Sequence, residues 1–291
     1  MYRGDELDFI EAGKLPALAQ AIPDRVRSQG TIDMSFARQG SATLLARSYQ
    51  AGCLRLRVPR RIESGRPCAV LINTSGGLAE GDILSQSLAW ETGSRGTVTT
   101  QAAEKVYRAQ AEGGKIATRI DVAEHAEAEW LPQETILFDH ARLRRDTQIN
   151  LGTNASFLGI EAIVLGRTAM DEQMQDGMLS DSLRIRREGK LIYADTLRLD
   201  GAVEQAVNRP AMGNGACAMA VILYVATGAT ALLNPLRQVL DHAGGLVAAS
   251  AWNGMLAVRM LASNGATLRR DIVAALSVLR DGRPLPRVWS C

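Results

Sequence analysis

Apolar and polar positions alternate with period two over most of the chain. Leu54, Leu56 and Val58 face one way and Arg55 and Arg57 the other, the mark of a half-buried strand. Ile120, Val122, Ala126, Ala128 and Trp130 keep a similar alternation against Asp121, His125, Glu127 and Glu129. Leu183-Arg184-Ile185-Arg186, then Glu188-Gly189, then Leu191-Ile192-Tyr193 predicts a hairpin with glycine at its corner. Leu256, Val258 and Met260 alternate again before a turn at Ser263-Asn264-Gly265. Strands are thus expected from about residue 31 to 262, divided by short Gly, Asn and Asp punctuation. Helical spacing comes late. Leu268, Ile272, Ala275, Leu276 and Leu279 share one face of a helix over about 266–280. A second helix is expected from Asn234, as N-cap, and Pro235 to about Ala243, stopped by Gly244-Gly245. Residues 11–26 are a candidate short helix. The reading is mostly β and mainly antiparallel. One domain covers 1–291, with 1–30 as an N-terminal extension and the helices laid on the sheet.

Composition narrows the partners. Hydrophobic content of 46% with 22% charged residues is that of a globular chain. A net charge of +2 gives no reason to expect nucleic acid or an anionic membrane. No apolar run reaches membrane-spanning length, and MYRGDELDFIEAGKLP lacks the apolar core of a signal peptide. A cytoplasmic protein is expected. Cys53, Cys68, Cys217 and Cys291 are scattered, which predicts reduced thiols rather than a disulfide or metal site.

The usual catalytic motifs do not survive their context. Gly213-Asn214-Gly215-Ala216-Cys217-Ala218 has the letters of a dinucleotide loop, but AMAVILYVAT after it reads as a strand, where that motif needs a helix. SGGLAEGD at 75–82 lacks the ending of a phosphate loop and reads as a turn with glycines at positive φ, followed by a strand. His125 is expected in a strand, His140 after ETILF and His242 at a helix end, with no pair at helical zinc spacing. The acids hold more interest. Asp82 closes the glycine turn, while Glu161 in FLGIEAIVLGR and Asp195 in LIYADTLRL stand in apolar strands. A carboxylate so placed faces solvent, is paired inside, or works. Residues 97–108, TVTTQAAEKVYR, end a run of small side chains in Glu104, Lys105, Tyr107 and Arg108, which either line or brace a polar interior or, for Lys105 and Arg108, simply pair with buried acids and fix strand register.

NTSGGLAEGD, TTQAAEKVYR, LPQETILF, LGRTAMDE and the terminal PRVW, in this order and spacing, resemble the urease accessory protein D family, UreD or UreH, over roughly residues 31–290. The resemblance implies a β-rich, elongated fold with two helices and no enzymatic turnover. It implies a part in delivering Ni²⁺ to apo-urease, with a helical partner, urease accessory protein F, and a GTPase, urease accessory protein G. It also implies an internal water-filled route for the metal, which is bound transiently and not as a resident cofactor. Matched by motif, Asp82, Glu161 and Asp195 take the places of the family's interior acids and are metal-transit candidates, with Glu104 beside them. Lys105, Tyr107, Arg108, Arg167 and Glu172 would support the polar interior. Three departures stand out: Ala79-Glu80 replaces Val-Gly, Glu104 replaces a Ser or Thr, and Asp171-Glu172 replaces Gly-Glu.

A transit route needs sites attractive enough to enter and weak enough to leave, which suits carboxylates and water better than clustered Cys and His. Two other readings stay open: a pure assembly scaffold without a metal path, and a hydrolase using an acid dyad drawn from Asp82, Glu161 or Glu172.

Overall fold

The computed structural model describes residues 27–59, 66–167, 170 and 172–290. The helix expected within 11–26, Asp171 and Cys291 lie outside them. In chain order the strands are β1 (Gln29–Gln39), β2 (Ala42–Gly52), β3 (Leu54–Arg57), β4 (Cys68–Asn73), β5 (Ile83–Trp90) and β6 (Arg95–Thr100). There follow β7 (Glu104–Val106), β8 (Gly114–Val122), β9 (Glu127–Leu131), β10 (Thr135–Leu137), β11 (Arg142–Leu151) and β12 (Ser156–Leu165). The last are β13 (Gly177–Arg187), β14 (Lys190–Gly201), β15 (Ala218–Val225), β16 (Leu246–Trp252) and β17 (Met255–Ala262). Among the described residues three α-helices lie in the C-terminal half: α1 (Val203–Val207), α2 (Leu233–Leu240) and α3 (Gly265–Leu279).

The fold is mostly β, as expected, but its sheets are mixed rather than mainly antiparallel. From β4 to β13 the chain crosses between two facing sheets at almost every connection. One sheet runs β14-β13-β11-β8-β5-β1-β2 and the other β16-β17-β15-β12-β9-β6-β4-β3. Each strand therefore returns beside its predecessor in the same direction. β5, β8, β11 and β13 are parallel in one sheet, and β4, β6, β9 and β12 in the other. The result is a solenoid-like coil whose crossovers are strands of the opposite sheet. Antiparallel pairing is confined to the margins, at β1–β2, β13–β14, β3–β4 and the group β12, β15, β17 and β16.

The alternation read across 120–130 shows why the pattern misleads. It runs through two strands of different sheets, β8 and β9, with a turn between them. His125 sits in that turn at φ 57°, not in a strand. The hairpin at 183–193 forms as expected, with Glu188 and Gly189 both at positive φ (50° and 78°), the geometry of a tight two-residue turn.

Two cores share the second sheet. Between the sheets lie Ile32, Phe36, Leu88, Trp90, Ile120, Leu143, Phe157, Ile163 and Ile185, all fully buried. On the outer face, α2 and α3 cover Ile160, Ile222 and Val258 with Leu236, Leu268, Ile272 and Leu276. α2 begins after a 3-10 turn at Ala229–Leu232, so Leu232 and not Asn234 is its N-cap. Asn264 does cap α3, accepting from the Thr267 N–H at 2.8 Å. Gly244 and Gly245 lie beyond the end of α2, and their N–H groups donate to both carboxylate oxygens of buried Asp271.

Candidate functional site

The SGGLAEGD turn docks on β7. Leu78 donates its N–H to Lys105 O (2.7 Å), and Tyr107 donates to Leu78 O (2.8 Å). Gly77 has φ 152°, and a Cβ there would lie 2.6 Å from the Tyr107 ring, so glycine is what lets the turn close. Asp82 is 3% exposed and ties the turn down, its carboxylate accepting from Ser28 N (2.6 Å) and Ala79 N (2.8 Å). The glycine turn and the strand after it form as the sequence predicts.

Glu104 opens β7 beside this turn, half-buried, with Asn73 Nδ2 donating to it at 3.0 Å. Its carboxylate has no cation partner among the described residues. Burial raises its pKa to about 7, the Asn73 bond opposes the rise, and the negative charge of Asp82 adds to it. Cys53 feels both acids: burial raises its thiol pKa first, a Ser75 hydrogen bond opposes, and Asp82 and Glu104 push it further.

Strand register extends this group inward. Glu104 pairs with Thr135 of β10, and Thr135 with Ile163 of β12, so the three share one sheet face with Glu161, two residues before Ile163. Ile163 belongs to the core between the sheets, which fixes that face as the inner one. Thr135 Oγ1 accepts from Arg145 Nη1 at 3.0 Å, and the same nitrogen lies 2.8 Å from Glu161 Oε2. Arg145 also grips Asp181 through two bonds, Nε to Oδ1 at 2.9 Å and Nη2 to Oδ2 at 2.6 Å. Trp130 Nε1 and Thr147 Oγ1 complete the Glu161 shell, each at 3.3 Å. One guanidinium thus serves two acids, buried Glu161 and partly buried Asp181. Burial raises the Glu161 pKa, Arg145 opposes the rise, and Asp181 reinforces it.

A polar seam therefore runs from Asp82 and Glu104 through Thr135 to Arg145, Glu161 and Asp181. Asp195 is not part of it. It lies on β14, half-exposed, accepting from Arg259 Nη2 (2.8 Å) and Tyr193 OH (2.9 Å). Lys105 and Arg108 are exposed and pair with no acid among the described residues, so they do not brace the interior. Tyr107 hydrogen-bonds Gly76 O (3.0 Å) and meets the Phe138 ring edge-on. Arg167 lies over the other side of this cluster, 4.3 Å from the Phe138 ring centre, and is paired with Glu172. This tier braces the turn from outside the seam.

Sequence reasoning missed Arg145 and Asp181, and Cys53, Asn73 and Ser75 beside Glu104. It also placed Glu129 on a polar face. Glu129 is 3% exposed, held by Arg280, Arg283 and Thr97 beneath the C-terminal strap. Burial works to raise its pKa, but Arg280, aided by Thr97 and Arg283, holds it below the ordinary carboxylate value. The same strap explains two motifs. Trp289 of PRVW donates to Thr99 Oγ1 and Leu131 O, each at 3.2 Å, and Arg269 joins Gln133 and Glu134 of LPQETILF to Trp289 O. Cys53 and Cys217 are free thiols. Among the described residues no three His, Cys, Asp or Glu side chains gather into a metal-holding group, and no helix is long and apolar enough to cross a membrane.

The family model described as UreD urease accessory protein matches residues 28–290. A protein named urease accessory protein UreD 2 from Methylorubrum populi is 46% identical over 287 residues, 96% of each chain. Urease accessory protein UreD from Xanthobacter autotrophicus is 46% identical over 268 residues, 91% of each chain. Its counterpart from Rhizobium rhizogenes is 41% identical over 275 residues, covering 94% of this chain and 98% of the relative.

Proposed function

Because the chain belongs to the UreD urease accessory protein family, we propose that it acts as a non-catalytic scaffold which helps place Ni²⁺ in apo-urease and offers the metal an internal polar route. Membership makes it a urease accessory protein with a part in urease maturation, partnered with urease and other accessory proteins. The finer reading names those partners as the helical accessory protein F and the GTPase protein G, working in the cytoplasm. The observation that carries it is the family match over residues 28–290. The polar seam supports the route: oxygen donors in series, Asp82, Glu104, Thr135 and Glu161, suit a cargo that must be released.

The test is the nickel content of urease matured in a reconstituted system, with complexes shown intact by size exclusion. Asp82→Leu combined with Glu161→Leu is expected to leave urease under-loaded. The near-isosteric Asp82→Asn and Glu161→Gln keep hydrogen-bonding capacity and should impair loading less if the route is mainly hydrated. Equal impairment by both kinds of change would show that charge itself handles the metal. Full loading with the double leucine variant would remove these residues from any route and leave a pure assembly scaffold.

A further inference from the structure

A cleft of about 360 Å³ lies outside the seam, lined by Arg108, His140, Arg142, Asp176 and Gly177 among others. Its floor is three chain segments stapled by backbone bonds. Ala109 N–H donates to His140 O (3.1 Å), His140 N–H to Asp176 O (2.9 Å), and Met178 N–H to Ala141 O (2.9 Å). Gly177 has φ 153°, and a Cβ there would stand 2.5 Å from Ala141 O, so this close approach is built on glycine. Arg108 is exposed and Arg142 half-buried. Neither guanidinium has a carboxylate or any other acceptor among the described residues, and Nε of Arg142 is buried without a partner. Nε of Arg142 is enclosed and out of reach, but the outer nitrogens of Arg142 and Arg108 are neither enclosed nor bonded among the described residues, which leaves them open to an acceptor from outside. The other basic concavity makes the contrast. There Arg280 and Arg283 are already committed to Glu129, and Arg66 to Glu127. His140 is also engaged, 3.3 Å from Asp139. Asp176 is the acid of the lining, so the two arginines leave the cleft net positive.

We propose that the cleft is a site for a small free oxyanion of the phosphate or carboxylate kind, held between the guanidinium groups of Arg108 and Arg142. A planar fork of N–H donors matches either anion bidentately. The proposal stands apart from the nickel route, since neither arginine touches the seam.

Full-length protein is titrated with inorganic phosphate, and separately with acetate, by isothermal titration calorimetry at fixed ionic strength. Saturable binding of one or both anions is expected. Arg108→Gln and Arg142→Gln should each weaken it about tenfold or more, the equivalent of about 1.4 kcal/mol. Arg142→Lys keeps the charge but loses the fork, and should restore only part. Arg209→Gln, which removes an exposed arginine elsewhere, should change nothing. If Arg142→Gln does not fold, the exposed Arg108 substitution decides. No saturable binding of either anion to the folded wild-type chain overturns the proposal, as does an equal loss in Arg209→Gln.

Discussion

Glu104 and Glu161 stand on the same face of the same sheet, joined by Thr135, yet the chain treats them oppositely. Glu161 is enclosed by Arg145, Trp130 and Thr147, and Arg145 is in turn locked to Asp181. Glu104 has one amide donor, Asn73, and no resident cation among the described residues. Burial pushes both carboxyls up. What differs is what each would lose on being neutralised. Around Glu161 the charges hold one another in place, and removing one strands the others. Glu104 strands nothing, and near neutrality it is only partly ionised. A cation reaching it displaces a proton rather than an arginine. On the proposed route this makes Glu104 the acceptor that is free to bind and Glu161 part of the frame that keeps the path polar.

The contrast breaks most visibly at Arg145. Replacing it with Met leaves buried Glu161 and partly buried Asp181 with no guanidinium between them, and loss of one member of a buried ion pair costs about 3–5 kcal/mol. Urea unfolding should show a loss of that size. Adding Glu161→Gln and Asp181→Asn to Arg145→Met should recover much of it, because the stranded charges are then gone. If Arg145→Met alone lowered stability by less than about 1 kcal/mol, as for an exposed pair, the network would not be the frame described here.

Glu104 sharpens the comparison with the opposite sign. Its pKa in the folded chain, about 7, lies above the ordinary glutamate value. The folded state therefore holds the proton more tightly than the unfolded one. Stability attached to the protonated form is fully present below about pH 4 and is lost as pH climbs through the folded pKa near 7. Glu104→Gln cannot ionise and lacks that loss. The variant should match the wild type under acid conditions and exceed it at about pH 8 by about 2 kcal/mol. Thermal unfolding of both proteins across this range is the measurement. A wild-type advantage that grows with pH would mean that Glu104 is ionised and paired in the folded chain.

These contrasts were only partly visible in the sequence. The Glu188-Gly189 hairpin and α3 were legible because their signals are local: a two-residue turn and one apolar helix face. The parallel coil was not. A four-residue connection such as 91–94 suggests a hairpin, and here it crosses to the other sheet. Nothing within four residues reports which sheet the next strand will join. Glu161 drew attention through its apolar neighbours, and Asp82 through its glycine turn. Arg145 did not, because RLRRDT looks like a solvated charge run. Period two nevertheless marked it: Leu143, Arg145, Thr147, Ile149 and Leu151 all point inward on β11 and are buried. Asp181 shares a parity with Leu179, Leu183 and Ile185 on β13. The Glu129 face was misjudged for another reason. Its cover comes from residues 280–289, far along the chain.

Asp195 gives the smallest effect and tests the same distinction at the surface. Its bonds to Arg259 and Tyr193 resemble those of Glu161 on paper. Both partners of the ion pair are partly exposed, 39% for Asp195 and 60% for Arg259, so water and salt screen the attraction. Partial burial works to raise the Asp195 pKa, but the Arg259 and Tyr193 bonds hold it below the ordinary aspartate value. A depressed carboxyl contributes stability above its unfolded pKa and loses it as pH falls through the folded one. The contribution should therefore be present at neutral pH and be lost progressively as pH falls below about 4. Asp195→Asn is expected to cost less than about 1 kcal/mol at neutral pH, less still in high salt, and nothing in acid. It should also leave urease nickel loading intact, since Asp195 lies off the seam. Chemical unfolding at two salt concentrations, with the nickel assay beside it, checks both points. Under-loaded urease from a stably folded Asp195→Asn protein would place this acid back on the metal's path and make the seam described here incomplete.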